Sequence, residues 1–320
     1  MRVVSLGVHI LDILGAPVTD HPGVGGRHLL EDVRLTAAGT AAGTSVDLAK
    51  LGVEVIAMGA IGDDDLGDLL LARMQAHGID TGRLARKGGV GTSATILPVR
   101  SDGERFATFH RPGASSRLEL ADIDLDEICE ADLLHIGGPD ALGGFTEGAL
   151  PIVLHHAREH DVAITMDVLS SCDEGTLKRL TPALRFTDYF FPNHHQLQGM
   201  TGFDDPLDGA AMIRTLGVGC VIVTRGADGS LIAGGDEPIE LPAFDVAIVD
   251  TTGCGDAYTA GFIVGTLGGW DLRLRGLFGS ACASLVGQGL GSDAGIEDLE
   301  TTFAFLAQQV PVDLERLELR

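Results

Sequence analysis

Residues 53–78 read VEVIAMGAIGDDDLGDLLLARMQAHG, and the order of chemistry within them decides the class of fold. Residues 53–62 form a short apolar run with β-branched members, suited to a strand covered on both faces. Asp63, Asp64 and Asp65 follow, and acidic residues at that point fit an N-cap and the positive end of a helix dipole better than a metal site. Residues 65–78 then carry apolar side chains at helical spacing and stop at a glycine. Strand, capped helix and glycine make one unit of a parallel sheet with its covering helix.

The unit recurs outward in both directions. RVVSLGV near the start, ADLLHIGG from Ala131, VAITMD from Val162 and GCVIVTRG from Gly219 are further candidate strands. TSVDLAKLG, TEGALPIVLHHAREHD and PLDGAAMIRTLG suit the helices between them. The expected fold is therefore α/β, a mainly parallel central sheet with right-handed crossovers and helices on both faces. Ligands of such sheets gather beyond the carboxyl ends of the strands. Two stretches break the alternation. Residues 12–38 are rich in Gly, Pro and His, and residues 91–113 read as strand, Asp-Gly turn, strand, so both are expected to project as a small β lid. No low-complexity linker or repeat divides the chain, and residues 1–320 are taken as a single domain with two lid insertions.

Composition narrows the function. The 320 residues are 45% hydrophobic, enough for a substantial core, and the 46 acidic against 22 basic residues give a formal net charge of −24. Such a field repels nucleic acid and anionic membranes, so neither is an expected partner. An anionic ligand would need local attraction from backbone amides, a few cationic side chains or a divalent cation. The five cysteines, Cys129, Cys172, Cys220, Cys254 and Cys282, lack C-x-x-C spacing and are odd in number. A reducing cytoplasm is the expected compartment. The N-terminal segment is apolar but carries Asp12 and lacks the pattern of a signal peptide, and no run reaches membrane-spanning length.

The chemistry concentrates in VDTTGCGDAYTAGF, residues 249–262. Residues 246–249 read as the end of a strand and residues 257–267 as an apolar helix. Gly253 and Gly255 permit backbone conformations in which the N–H groups of Gly253, Cys254 and Gly255 converge on an anion, reinforced by the helix dipole. Asp256, a carboxylate beside that anion site, suits a proton acceptor in phosphoryl transfer to a hydroxyl. On spacing alone an N-capping role for Asp256 stays open. No Walker A loop and no G-x-G-x-x-G fingerprint occur, which weakens dinucleotide binding and a dehydrogenase reading.

The segment DTTGCGD, residues 250–256, closely resembles the C-terminal signature of the ribokinase-like, or PfkB, family of carbohydrate and nucleoside kinases. The resemblance extends over nearly the whole chain. It implies a ribokinase-like fold, ATP with Mg²⁺, Asp256 as catalytic base and the Gly253, Cys254 and Gly255 amides as anion hole. GVHILDI places Asp12 where family members hold sugar hydroxyls. The stretch beginning AAGTAAGTSVDLAKLG is similar to the N-terminal signature and offers Gly39, Thr40 and Gly43 as substrate contacts. FFPNHHQLQGMTG and VTRGADG supply Asn193, Thr224, Gly226 and Gly229 for the nucleotide, with Thr252 beside them. The segment from Gly279 to Gly291 is where the family wraps adenine. The family also suggests a monovalent cation such as K⁺ near Asp250, and a homodimer through the lid.

Three departures are visible. The family's Asn-x-x-Glu is Asn193-His194-His195-Gln196, its sugar-contacting Asn is Gly43, and its Asp-Pro-Asn is Asp167-Val168-Leu169. The expected activity is ATP-dependent phosphorylation of a hydroxyl, primary by expectation, on a sugar or sugar-like molecule. The alternatives are a nucleoside kinase on the same fold and a sensor that binds sugar or nucleotide without transfer. His110 and Arg111, at the end of the second lid segment, are further substrate-side candidates, although a solvated hairpin face also explains them. His194 and His195 stand open between phosphate contact and a plain loop role. His156 and His160 have i, i+4 spacing without an H-E-x-x-H pattern and are read as a surface pair.

Overall fold

The computed structural model describes residues 1–19, 26–100 and 108–311. Its strands are β1 (Arg2–Gly7), β2 (Ile10–Ala16), β3 (Asp32–Ala38), β4 (Glu54–Gly62), β5 (Asp80–Lys87), β6 (Ala94–Pro98), β7 (Phe109–Arg111), β8 (Leu133–Gly137), β9 (Ala163–Asp167), β10 (Tyr189–Phe191), β11 (Cys220–Thr224), β12 (Ser230–Ala233) and β13 (Ile239–Leu241). The helices are α1 (Thr40–Lys50), α2 (Asp65–Ala76), α3 (Leu125–Cys129), α4 (Phe145–Gly148), α5 (Leu150–Glu159), α6 (Glu174–Leu184), α7 (His194–Thr201), α8 (Pro206–Arg214), α9 (Cys254–Leu267), α10 (Leu272–Gly287) and α11 (Leu299–Gln309).

Nine strands form the main sheet in the order β13-β12-β11-β10-β9-β8-β1-β4-β5. From β5 to β11 every neighbouring pair is parallel, and β12 and β13 close one side antiparallel. Side chains alternate between the two faces as strand geometry requires. Val4, Leu6, Met58 and Ile136 pack under the group of α3 to α8, whereas Val3, Val55, Ala57 and Leu133 pack under α1, α2 and α9 to α11. Each fully buried Leu or Ile of these layers contributes roughly 1.5–3 kcal/mol. Asp64 caps α2 by accepting from the Gly67 N–H at 3.0 Å. The acidic run thus caps a helix, in line with its sequence.

Two features of the strands position the site. The carboxyl ends of β8, β9, β10 and β11 face one edge of the sheet, and Gly137 lets α1 start directly over β8. A Cβ at Gly137 would fall 2.2 Å from the Ala41 nitrogen. The lid segments join into a single four-stranded sheet, β3-β2-β6-β7, in which β2 and β6 run parallel while the other neighbours are antiparallel. The Asp-Gly turn expected at residues 102–103 lies outside the described residues, and the first lid segment begins at Ile10 rather than Asp12. One expectation fails. Residues 246–249 form no strand: Ile248 and Val249 are exposed, and the Val249 and Asp250 N–H groups donate to the Gly287 carbonyl.

Candidate active site

The segment after residue 249 is built around Asp250. Its fully buried carboxyl accepts from the Thr252 N–H at 3.0 Å and the Thr252 hydroxyl at 2.7 Å through Oδ1, and from the Gly291 N–H at 3.0 Å through Oδ2. The two Thr252 donors fix the turn locally, and the Gly291 N–H ties it to the turn after α10. Gly253 then takes a left-handed φ of 83° as the residue preceding α9, and a Cβ there would meet Ser292 at 2.6 Å. Any other residue would be both strained and in collision.

The first turn of α9 leaves amides available. The first intrahelical bond runs from the Ala257 N–H to the Gly253 carbonyl at 2.9 Å, so the Gly255 and Asp256 N–H groups precede the helical ladder. The Cys254 N–H leans on the Thr251 carbonyl at 3.4 Å, a long bond that gives it a smaller share in an anion hole than its sequence position suggests.

Asp256 is half-buried and its carboxyl lies against α1, where a Cβ on Gly43 would fall 2.3 Å from Oδ2. Burial, and then the nearby Asp12 carboxylate, push its pKa up to about 7. A carboxyl poised there suits a general base working near neutrality.

Two cavities meet at this loop. The larger, of about 810 Å³, is lined by Asp12, Gly39, Thr40, His110, Asn193, Thr224, Thr252, Gly253, Gly255 and Asp256, among others. The second, of about 550 Å³ and mostly apolar, is lined by Gly226, Gly229, Phe244, Val246, Ile248, Cys254, Ser280 and Ala283, among others. Thr224 and Gly255 belong to both.

The lid supplies one wall through register. Thr36, Asp12, Thr95 and His110 stand opposite one another across β3, β2, β6 and β7, so all four share one face. The Thr95 hydroxyl and His110 Nδ1 lie 3.1 Å apart. Asp12 is buried, at 6% exposure.

With this geometry in hand, comparison decides the family. The model of the pfkB family carbohydrate kinases matches residues 2–299. The chain belongs to the pfkB family of carbohydrate kinases. An uncharacterised sugar kinase of Archaeoglobus fulgidus is 29% identical over 249 residues, covering 78% of this chain and 97% of that one. A nucleoside kinase of Methanothermobacter thermautotrophicus is 27% identical over 281 residues, covering 87% of each. The structure of Arabidopsis thaliana ribokinase complexed with ribose and ATP superposes with a TM-score of 0.80 at 24% identity, covering 95% of this chain and 98% of that one. The fold is accordingly ribokinase-like.

Not every candidate residue reaches the two cavities. Gly43 lines neither cavity; it is the bare patch of α1 on which Asp256 rests. Arg111 turns away and donates to the Thr92 carbonyl from Nε at 3.0 Å and from Nη2 at 2.6 Å, with Asp64 at 3.4 Å. Neither His194 nor His195 lines a cavity. Gly229 lines the second cavity but is fixed by the fold, since a Cβ there would come within 2.0 Å of the Leu241 carbonyl oxygen.

The Gln at 196 has a structural reason. Its Oε1 accepts from the Asn193 N–H at 2.8 Å while Asn193 Oδ1 accepts from the Gln196 N–H at 2.9 Å, a reciprocal cap of α7. The Gln196 Nε2 donates to the carbonyls of Val168 at 3.0 Å and Ser170 at 3.1 Å, which a carboxylate could not do. Sequence reasoning missed Asp167 as a site residue. It ends β9, lines the larger cavity, accepts from the Gly138 N–H at 3.4 Å, and burial followed by Asp256 raises its pKa well above the ordinary range. The signal available was its place at the carboxyl end of a parallel strand. Thr95 and Ser292 had no such signal, because only the packing of the lid and of the turn after α10 brings them to the cavity.

Proposed function

We propose that this chain transfers the terminal phosphoryl group of ATP to a hydroxyl, primary by expectation, of an uncharged sugar or sugar-like polyol. The observation that carries this reading is the pair Thr224 and Gly255, which line both cavities. The apolar cavity suits a nucleobase, the polar one an acceptor, and the amide-rich loop lies between them. Bound ATP supplies the activated phosphoryl group. The residues do the rest. Gly253, Gly255 and Asp256 present N–H groups to developing charge, with Cys254 contributing less. Asp12 and Asp167 accept hydroxyl hydrogens of the acceptor and orient it. Asp256 takes the proton of the attacking hydroxyl.

The acceptor cavity presents the carboxyl groups of Asp12, Asp167 and Asp256 and, among the described residues, no Lys or Arg. That lining favours an uncharged polyol over a sugar phosphate or sugar acid. For Mg²⁺, Asn193 and Gln196 bond each other, so the residues fit a cation held mainly through nucleotide phosphates and water. Asp250 is accounted for as a loop clamp without K⁺.

An ATP-consumption assay over ribose, fructose, ketodeoxy sugars, fructose 6-phosphate, adenosine and other nucleosides tests the reading. Turnover with an uncharged sugar is expected. Turnover confined to nucleosides makes the chain a nucleoside kinase, and ligand binding without phosphotransfer across the panel makes it a sensor; either result replaces the proposal.

A further inference from the structure

The amino edge of the sheet, opposite the proposed active site, carries a cluster that the kinase reaction does not use. Cys129 ends α3 just before β8, and His156 and His160 lie at the end of α5 just before β9. One ligand-type atom from each of the three side chains lies within 4.8 Å of the other two. Cys129 Sγ and His156 Nε2 are 3.0 Å apart, and the two imidazole rings lie with centroids 4.6 Å apart and planes tilted by 50°. His160 Nδ1 lies 2.9 Å from the His156 carbonyl oxygen. When that nitrogen donates, the tautomer is fixed and Nε2 keeps a free lone pair, which is how second-shell bonds prepare a metal-binding histidine.

We propose that Cys129, His156 and His160 bind one thiophilic divalent cation of the Zn²⁺ type. One sulfur and two imidazole nitrogens form a donor set that suits zinc, with water in the fourth position. Zinc bonds of about 2.3 Å to sulfur and about 2.0–2.1 Å to nitrogen place tetrahedral donors some 3.3–3.6 Å apart. The 3.0 Å contact is slightly tighter than this, and binding requires any wider separation, up to 4.8 Å, to shorten toward it. Asp126 and Glu130 flank the thiol and add attraction for a cation. The ion would tie α3 to α5, on the edge away from Asp256, so it would stabilise the fold and leave phosphotransfer untouched.

The test uses the full chain with Zn²⁺ alone and Co²⁺ alone as probes. One equivalent is expected per chain, with a sulfur-to-cobalt charge-transfer band, a raised melting temperature and tighter binding as pH rises. Peptide-resolved alkylation should show Cys129 protected by one equivalent of Zn²⁺ while labelling of the other cysteines is unchanged. Cys129→Ser and His156→Ala should each weaken binding about tenfold or more. Binding that survives both substitutions, or alkylation of Cys129 that one equivalent of Zn²⁺ does not slow, overturns the proposal, and the alkylation arm needs no variant to fold.

Discussion

Asp256 carries the opposing demands of the site. In the proposed role of general base its carboxyl has to take a proton from a hydroxyl, yet it sits under α1 and beside Asp12. With the pKa at about 7, the base form grows as pH rises through neutrality. The second-order rate should therefore fall on the acid side with an apparent pKa near 7, read from a pH profile of kcat/KM. Asp256→Asn should retain ATP binding while turnover drops by about two orders of magnitude or more. The same substitution should stabilise the fold at alkaline pH. Between the ordinary carboxyl value of 3.8 and about 7, the folded chain holds a proton that the unfolded chain releases, so stability declines as pH rises through that window. The melting temperature of the variant should exceed that of the wild type at pH 8, with the difference shrinking toward pH 4; equal values at pH 8 would refute the pKa placement. At Gln196 the expectation runs the other way. Gln196→Glu, which restores the pfkB acid, loses both donors to Val168 and Ser170 and sets a charge against two carbonyls. About 1–3 kcal/mol of stability should be lost, measured by denaturant unfolding.

Among the elements, the contact of α1 with α9 sets where the base points. Gly43 has no side chain at the place where the Asp256 carboxyl lies, and the Thr44 hydroxyl reaches the Asp256 carbonyl at 3.4 Å. Gly43→Ala puts a methyl group 2.3 Å from Oδ2, so either the carboxyl or the helix must move. A displacement of about 1 Å in a positioned group can cost some 10²-fold in rate. The variant should keep its fold by circular dichroism and lose at least about tenfold in kcat. Unchanged kcat would mean that Asp256 works from another rotamer. The pfkB signature places an Asn at this position, which makes Gly43 look like a lost substrate contact. The structure makes it a seat for the base instead.

For the whole molecule, the lid has two faces of opposite character. The row of Asp12, Thr36, Thr95 and His110 turns inward, while Val33, Ile96 and Phe109 turn outward at 60%, 53% and 59% exposure. Ile96 and Phe109 stand directly opposite each other across the ladder. An apolar strip of this kind on a small sheet supports the proposal of a homodimer through the lid. Sedimentation should give a dimer, and Ile96→Asp should shift it toward monomer. A monomer at every wild-type concentration would remove this part of the reading. Among the described residues, no helix is long and apolar enough to cross a membrane.

Much of this was legible from local chemistry. Apolar runs alternating with capped helices determined the parallel sheet, because strand and helix periodicities and caps are short-range properties. The order of Gly253, Gly255 and Asp256 likewise announced a glycine-bent helix start with a carboxylate in its first turn, and the structure has both. What the sequence could not decide depends on which distant segments meet. Residues 246–249 have the composition of a strand, but the N–H groups of Val249 and Asp250 are taken by the Gly287 carbonyl at the end of α10. Arg111 falls one residue past the row that faces the cavity, so its guanidinium serves Thr92 instead. Gly43 acquires its role only when α9 lies across α1, and Cys129 joins His156 and His160 only because α3 and α5 end at the same edge of the sheet. Backbone preference is written residue by residue; proximity between residues far apart in the chain arises only when the two faces of the sheet are buried.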